Sequence, residues 1–180
     1  MMDNIFLEIV TPSGVRLRER VAELTAPSVA GEFGVLPGHL PVLAALRTGI
    51  VSYKLDGKES KVAVAHGFVE IVHDAALLIT EKFATKDDVD VVRVRQRLQE
   101  VDHELDHWTG ELTDPKRVAL IEEEQWLATE LELIGDPPPP MVREETRYLA
   151  AHAEPPPEGE LATESQPDDS LTHHNKDDEE

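Results

Sequence analysis

The chain has no cysteine among its 180 residues, so it has no disulfide framework, no thiolate zinc site and no cysteine nucleophile, and it fits a reducing compartment. Aromatic residues make up only 4% of the composition against 40% hydrophobic residues. The core is therefore expected to be built from Val, Leu, Ile and Ala, and stacking platforms for bases or sugars are disfavoured. Positive charge is scarce as well. Seventeen Lys and Arg stand against 37 Asp and Glu, a formal net charge of -20 at pH 7, which repels phosphates and anionic head groups and so argues against nucleic acid and direct lipid binding. No apolar run approaches the roughly 20 residues of a membrane span. Met1-Met2-Asp3-Asn4 lacks the basic start and apolar run of a signal peptide. The expectation is a soluble chain in the cytoplasm with no membrane insertion.

What is present divides into three stretches. Residues 1–84 read as an all-β sandwich: short strands at 5–10, 15–17, 21–26, 50–55, 58–65, 68–72 and 75–80, separated by turn signals. Asp56-Gly57 is the clearest hairpin turn, because this pair supplies the positive φ values that a two-residue loop needs. The stretch Gly31-Glu32-Phe33-Gly34-Val35-Leu36-Pro37-Gly38-His39 is too rich in Gly and Pro to continue a regular ladder, so it is expected to be a shaped loop.

From Asp87 the apolar period changes from two to three and four. Val94, Leu98, Val101, Leu105 and Trp108 form a heptad seam on a helix. Thr109-Gly110 closes it, and Asp114-Pro115 offers an N-cap followed by proline at the first helical position. Leu120, Leu127, Leu131 and Ile134 supply the stripe of a second helix, with Gly135 as its stop. Residues 85–135 are thus expected to form an antiparallel helical hairpin. Residues 136–180 hold 13 acidic and 3 basic side chains together with Pro137 to Pro140 and Pro155 to Pro157. Such a composition buries too little apolar area to offset chain entropy, so a disordered acidic tail is expected.

Two patterns carry candidate chemistry. His103-Glu104-Leu105-Asp106-His107 matches the H-E-x-x-H zinc-protease motif, but Leu105 belongs to the apolar seam, which turns both histidines toward solvent, away from any walled cavity. No G-x-x-x-x-G-K-[ST] phosphate cradle exists. Asp90, Arg93 and Arg97 share one flank of the first helix, where guanidinium groups could grip phosphates and the carboxylate could orient a base or ribose. Charged flanks of this kind also serve simply as solvated surface.

The order Gly31-Glu32-Phe33-Gly34-Val35-Leu36-Pro37-Gly38-His39-Leu40-Pro41-Val42-Leu43, the segment His66-Gly67-Phe68-Val69-Glu70-Ile71, the strand-rich first half and the helical hairpin together resemble the epsilon subunit of the F-type ATP synthase, over about residues 4–134. The resemblance implies a sandwich seated on the central rotor stalk, against the gamma subunit and the polar loops of the membrane-embedded ring, with Glu32 and His39 on the edge that meets the ring. It also implies a hairpin that folds on the sandwich or extends along gamma toward the alpha and beta subunits, restraining ATP hydrolysis. The family's helix motif, I or L then D-x-x-R-A, reads here Val89-Asp90-Val91-Val92-Arg93-Val94, which keeps Asp and Arg and replaces the alanine. Members that bind ATP draw further arginines from the second helix, which here offers Arg117 and carries Glu122-Glu123-Glu124. Where the family usually reads S-G-G stands Ala65-His66-Gly67.

The expectation is therefore a non-catalytic rotor subunit that couples proton-driven rotation to ATP synthesis, peripheral on the cytoplasmic side of the plasma membrane. No catalytic residue, no metal and no resident cofactor are expected. Regulatory ATP is the one ligand that Asp90, Arg93 and Arg97 would take. Hairpin stability supports a switch. About ten seam side chains at roughly 1.5–3 kcal/mol each oppose about 1–2 kcal/mol of backbone entropy per helical residue, so Val94, Leu98, Val101 and Leu105 could exchange their internal contacts for a partner helix at little net cost. The alternative is a small zinc metallopeptidase centred on His103, Glu104 and His107.

Overall fold

The computed structural model describes residues 4–138. Ten strands come first: β1 Ile5–Thr11, β2 Gly14–Val21, β3 Glu23–Ser28, β4 Gly31–Val35, β5 Val42–Leu46, β6 Gly49–Leu55, β7 Lys58–Val64, β8 Gly67–Val72, β9 Ala75–Thr80 and β10 Phe83–Ala84. A single 3-10 turn, Lys86–Asp88, leads to two helices, α1 Val91–Asp106 and α2 Pro115–Leu133. The strands follow the order β10-β7-β6-β3-β5-β8-β9-β1-β2, with β4 paired to β3 alone. Every ladder is antiparallel except β1 with β9.

The path folds over where β3 meets β5 at the one register pair Ser28↔Leu46. This makes two layers whose inward residues, among them Leu7, Ile9, Val51, Val64, Val69 and Leu78, are fully buried in one aliphatic cluster. Alternation sets the layers: in β1, Ile5, Leu7 and Ile9 point in while Phe6, Glu8 and Val10 point out. The hairpin expected at Asp56-Gly57 has φ of 49° and 77° at these residues, and it joins β6 to β7.

Two local readings need correction. The Gly- and Pro-rich stretch does continue a ladder, because residues 31–35 form β4 and pair with β3 from Leu24↔Val35 to Ser28↔Gly31. Glycine is tolerated there because β4 is an edge strand, paired to β3 alone. Its remainder, Leu36 to Pro41, is the irregular part, followed by β5, which the Pro-flanked sequence concealed. The expected strand at 21–26 is broken at Ala22, whose N–H donates to the Lys54 carbonyl.

The helices begin on their caps. Thr85 donates from its backbone N–H and its hydroxyl to the Asp88 carboxylate, so the chain first makes the 3-10 turn, and α1 starts only after Asp90, whose carboxylate accepts from the Arg93 N–H. Asp114 accepts from the Lys116 N–H, with Pro115 at the first helical position. Gly135, at φ 87°, ends α2. The seam closes as the spacing implies, with Val94, Leu98, Val101 and Leu105 packed against Leu127 and Leu131. Trp108 sits beyond the seam, donating from its ring N–H to the Glu111 carbonyl in the interhelical loop. A second small cluster of Ala63, Ala84 and Leu133, joined by Ile50, Val89 and Trp126, fastens the hairpin to the β6–β7–β10 side of the sandwich. The tail expected to be disordered lies from residue 139 onward outside the described residues.

Candidate functional site

Several strands are apolar on both faces, and only one face can enter the core. In β5, β8 and β9 the inward set includes Leu46, Val69, Ile71, Ala76 and Leu78, which leaves Leu43, Phe68 and Ile79 outside at 72%, 59% and 52% exposure. The register assembles these outward residues into rows across β1, β9, β8 and β5. One row runs Val10, Ile79, Phe68, Ala45, and the next runs Glu8, Leu77, Glu70, Leu43. Exposed Phe6 adds to the same face. Contiguous apolar surface of this kind marks an interaction site. Two carboxylates punctuate it. Glu8 is paired with Arg18 of β2 at 3.0 Å, whereas Glu70 forms no ion pair among the described residues. No sequence pattern short of the full register identifies this face, although the runs Val42-Leu43-Ala44-Ala45-Leu46 and Ala75-Ala76-Leu77-Leu78-Ile79 carry the signal of strands apolar on both sides.

At one end of the sandwich the Leu36–Pro41 segment is tied to the β8–β9 turn. His73 and Asp74 both adopt positive φ there, and the Asp74 carboxylate accepts from the Gly38 N–H at 2.6 Å. The turn therefore holds His39, whose ring Nδ1 lies 2.7 Å from the Leu40 carbonyl, while Leu36 and Leu40 stay exposed. Glu32 is exposed on β4, 3.8 Å from Arg47. Glu32 and His39 thus both sit in the β4–β5 region.

Asp90, Arg93 and Arg97 line one cleft of about 540 Å³, walled by the sandwich at His66 and Lys82 and by α2 at Glu123, Trp126 and Glu130. Their roles within it differ. Asp90 is spent on capping α1. Arg97 places Nε 2.7 Å and Nη2 2.9 Å from the two oxygens of Glu123 and Nη1 3.2 Å from Glu100, which holds its charge firmly and draws the Glu123 carboxyl below the usual carboxylate range. Lys82 Nζ lies 5.6 Å over the Trp126 ring. Val94, Leu98, Val101 and Leu105 are buried in the hairpin seam, so they can reach a partner only when the helices separate.

Glu130 is half-buried at the hairpin–sandwich junction, and burial pushes its carboxyl up against the opposing pull of Lys82 and Arg93. A carboxyl raised in the folded state favours its protonated form there. Its contribution to stability is full below its unfolded pKa and is lost as pH rises through the folded value. Glu130→Gln is therefore expected to raise the melting temperature at pH 7.5 by about 2 °C and to give no gain at pH 4. Calorimetry at the two pH values checks the sign.

His103 on α1 and His107 at its C-cap lie with ring centroids 4.1 Å apart and ring planes tilted by 42°, and both are exposed. His107 Nδ1 lies 2.9 Å from the His103 carbonyl, and Glu104 leans toward Arg97 at 3.5 Å. Among the described residues no group of three or more His, Cys, Asp or Glu is arranged to hold a metal ion. The exposed pair has no walls to exclude water, and the peptidase alternative finds no support.

Residues 4–86 match the family described as ATP synthase, Delta/Epsilon chain, beta-sandwich domain. The ATP synthase epsilon chain of Nitratidesulfovibrio vulgaris (strain DP4) is 39% identical over 114 residues, covering 59% of this chain and 85% of that one. The epsilon chain of Geotalea daltonii is 38% identical over 105 residues, covering 58% and 76%. In fold, the chain is similar to one in the Euglena gracilis mitochondrial ATP synthase, solved as OSCP/F1/c-ring, with a TM-score of 0.62 at 22% identity, covering 72% of this chain and 80% of that one.

Proposed function

The chain belongs to the ATP synthase epsilon-chain family, and we infer that it works as a non-catalytic subunit of the central stalk, coupling proton-driven rotation to ATP synthesis performed on other chains. The observation that carries the reading is the exposed apolar face of β1, β9, β8 and β5, the kind of surface a permanently assembled subunit buries. Its partner is the gamma subunit, docking apolar side chains across Phe68, Ile79 and Leu43 and setting a cation opposite Glu70.

The β4–β5 region, with Glu32 and His39, faces the loops of the membrane ring. Among the described residues no helix is long and apolar enough to cross a membrane. The reading seats the chain peripherally, on the cytoplasmic side of the plasma membrane. Residues 1–84 are the anchoring domain and residues 85–135 the regulatory hairpin.

The hairpin restrains ATP hydrolysis by leaving the sandwich and extending toward the alpha and beta subunits. Its attachment to the sandwich is the small cluster around Leu133, Ala63 and Ala84, much less than the core of the sandwich itself, so detachment costs little beside unfolding. The seam of Val94, Leu98, Val101 and Leu105 then becomes available to a partner helix. Deleting residues 87–180 is expected to leave assembly intact while raising the ATPase rate of the reconstituted complex severalfold. An unchanged rate in a properly assembled complex would remove the regulatory half of the reading and leave the structural half.

A further inference from the structure

The cleft between hairpin and sandwich has the volume of a small-molecule site, and two of its walls carry cations, the sandwich Lys82 and α1 Arg93 and Arg97. Its strongest anion-gripping group is nonetheless engaged. A guanidinium recognises phosphate through the same planar fork that it offers a carboxylate. In Arg97 that fork, Nε and Nη2, is matched oxygen for oxygen by Glu123 of α2. The remaining nitrogen, Nη1, lies 3.2 Å from Glu100 and 3.5 Å from Glu104. An arriving phosphate would have to displace a bidentate carboxylate and then sit beside two more. Around the whole cleft carboxylates outnumber ammonium and guanidinium groups six to three, which makes the surroundings repulsive to a polyanion.

We propose that Glu123 is a built-in occupant of the anion position at Arg97, so that the closed hairpin excludes nucleotide polyphosphates and is held shut by its own ion pair. Glu123 is in this sense a specificity-determining residue. It lies 26 positions from Arg97, on the opposite helix, and its pair with Arg97 runs alongside the Leu98–Leu127 part of the seam. The same contact therefore both fills the ligand position and joins α1 to α2. A second ion pair, Arg95 with Asp136, ties α1 to the end of α2 on another flank. Closure of the hairpin then needs no ligand, and salt weakens it instead, since both pairs reach the solvent.

The proposal concerns the free chain and holds whether or not the hairpin acts on a catalytic partner, so its failure is separate from failure of the stalk reading. The test is calorimetric titration of the full chain with Mg-ATP and, separately, with inorganic tripolyphosphate. The unaltered chain is expected to show no binding of either up to about 1 mM. Glu123→Gln and Glu123→Ala, each confirmed folded by circular dichroism, are expected to bind both probes at least about tenfold more tightly than the unaltered chain, and adding Arg97→Gln to either is expected to abolish the gain. Binding of Mg-ATP to the unaltered chain below about 0.1 mM would overturn the proposal. So would folded Glu123 variants that bind no better than the unaltered chain, or a gain that survives the loss of Arg97.

Discussion

Combining Leu43→Lys with Phe68→Asp is expected to weaken binding to the gamma subunit by at least about 100-fold, a loss of roughly 2.7 kcal/mol, with the fold of the free chain unchanged. Both side chains lie on the outer face at more than half exposure, so neither contributes to the buried core, and the two changes cancel in net charge. The strand register also spares the sheet. Position 43 lies directly opposite Glu70 on β8, where a lysine gains a partner, and position 68 lies opposite Ile79 and Ala45, where aspartate faces no like charge across the ladder. In the complex the same groups would be charges held against apolar side chains with water excluded, and truncating central apolar anchors alone commonly costs about 2 kcal/mol or more. Titration of the two purified subunits measures the loss directly. An affinity within about threefold of the unaltered chain, with circular dichroism unchanged, would show that the partner sits elsewhere.

Gly67→Ala is expected to do the reverse, disabling the free chain before any partner is met. A Cβ at this position would lie 2.0 Å from the Ile79 carbonyl oxygen and 3.0 Å from the Thr80 Cα. Both obstacles are backbone atoms of the neighbouring strand, so no side chain can swing aside. Relief requires parting β8 from β9 where Thr80 is also tied in, its hydroxyl donating to the Ala65 carbonyl at 2.9 Å. A cost of at least about 3 kcal/mol is expected, a fall of more than about 10 °C in melting temperature, or failure to accumulate as soluble protein. Gly34→Ala is the control, since a Cβ there meets nothing within 4 Å. A small effect at position 67, equal to that at position 34, would mean that β8 and β9 do not approach as closely as described.

These two positions also show where sequence reading succeeds and where it stops. The segment Ala65-His66-Gly67 departs from the family's S-G-G at its first two positions and keeps the third, where a Cβ would meet the backbone of β9. The hairpin was legible because its signals are local: the cap at Asp114, proline after it, and apolar residues at spacings of three and four on one stripe, whereas the cap at Asp90 came only with the structure. The two-layer sandwich was legible from short alternating strands and the Asp56-Gly57 turn.

What escaped depends on pairing between distant segments. β4 hides among glycines and prolines, because an edge strand needs hydrogen bonds on one side only and so accepts residues that a central strand would reject, and β5 is masked by the Pro37 to Pro41 stretch just before it. The outer face at Leu43, Phe68 and Ile79 escaped because a strand apolar on both sides does not say which side is covered, and only the register between β5, β8 and β9 aligns the three. The grouping of Asp90, Arg93 and Arg97 on one flank follows from helical spacing. That Arg97 is held by Glu123 does not, since the pair spans two helices and depends on how they dock.

The account stands on one physical claim, that the exposed sheet face carries this chain into the central stalk. Hydrogen exchange on the full chain, measured with and without the gamma subunit from the same host, tests it most directly. The account predicts a one-to-one complex with a dissociation constant below about 1 μM and new protection at residues 42–46, 67–72 and 75–80. Absence of a complex at tens of micromolar, or protection confined to α1 and α2 with that face still exchanging freely, would contradict it.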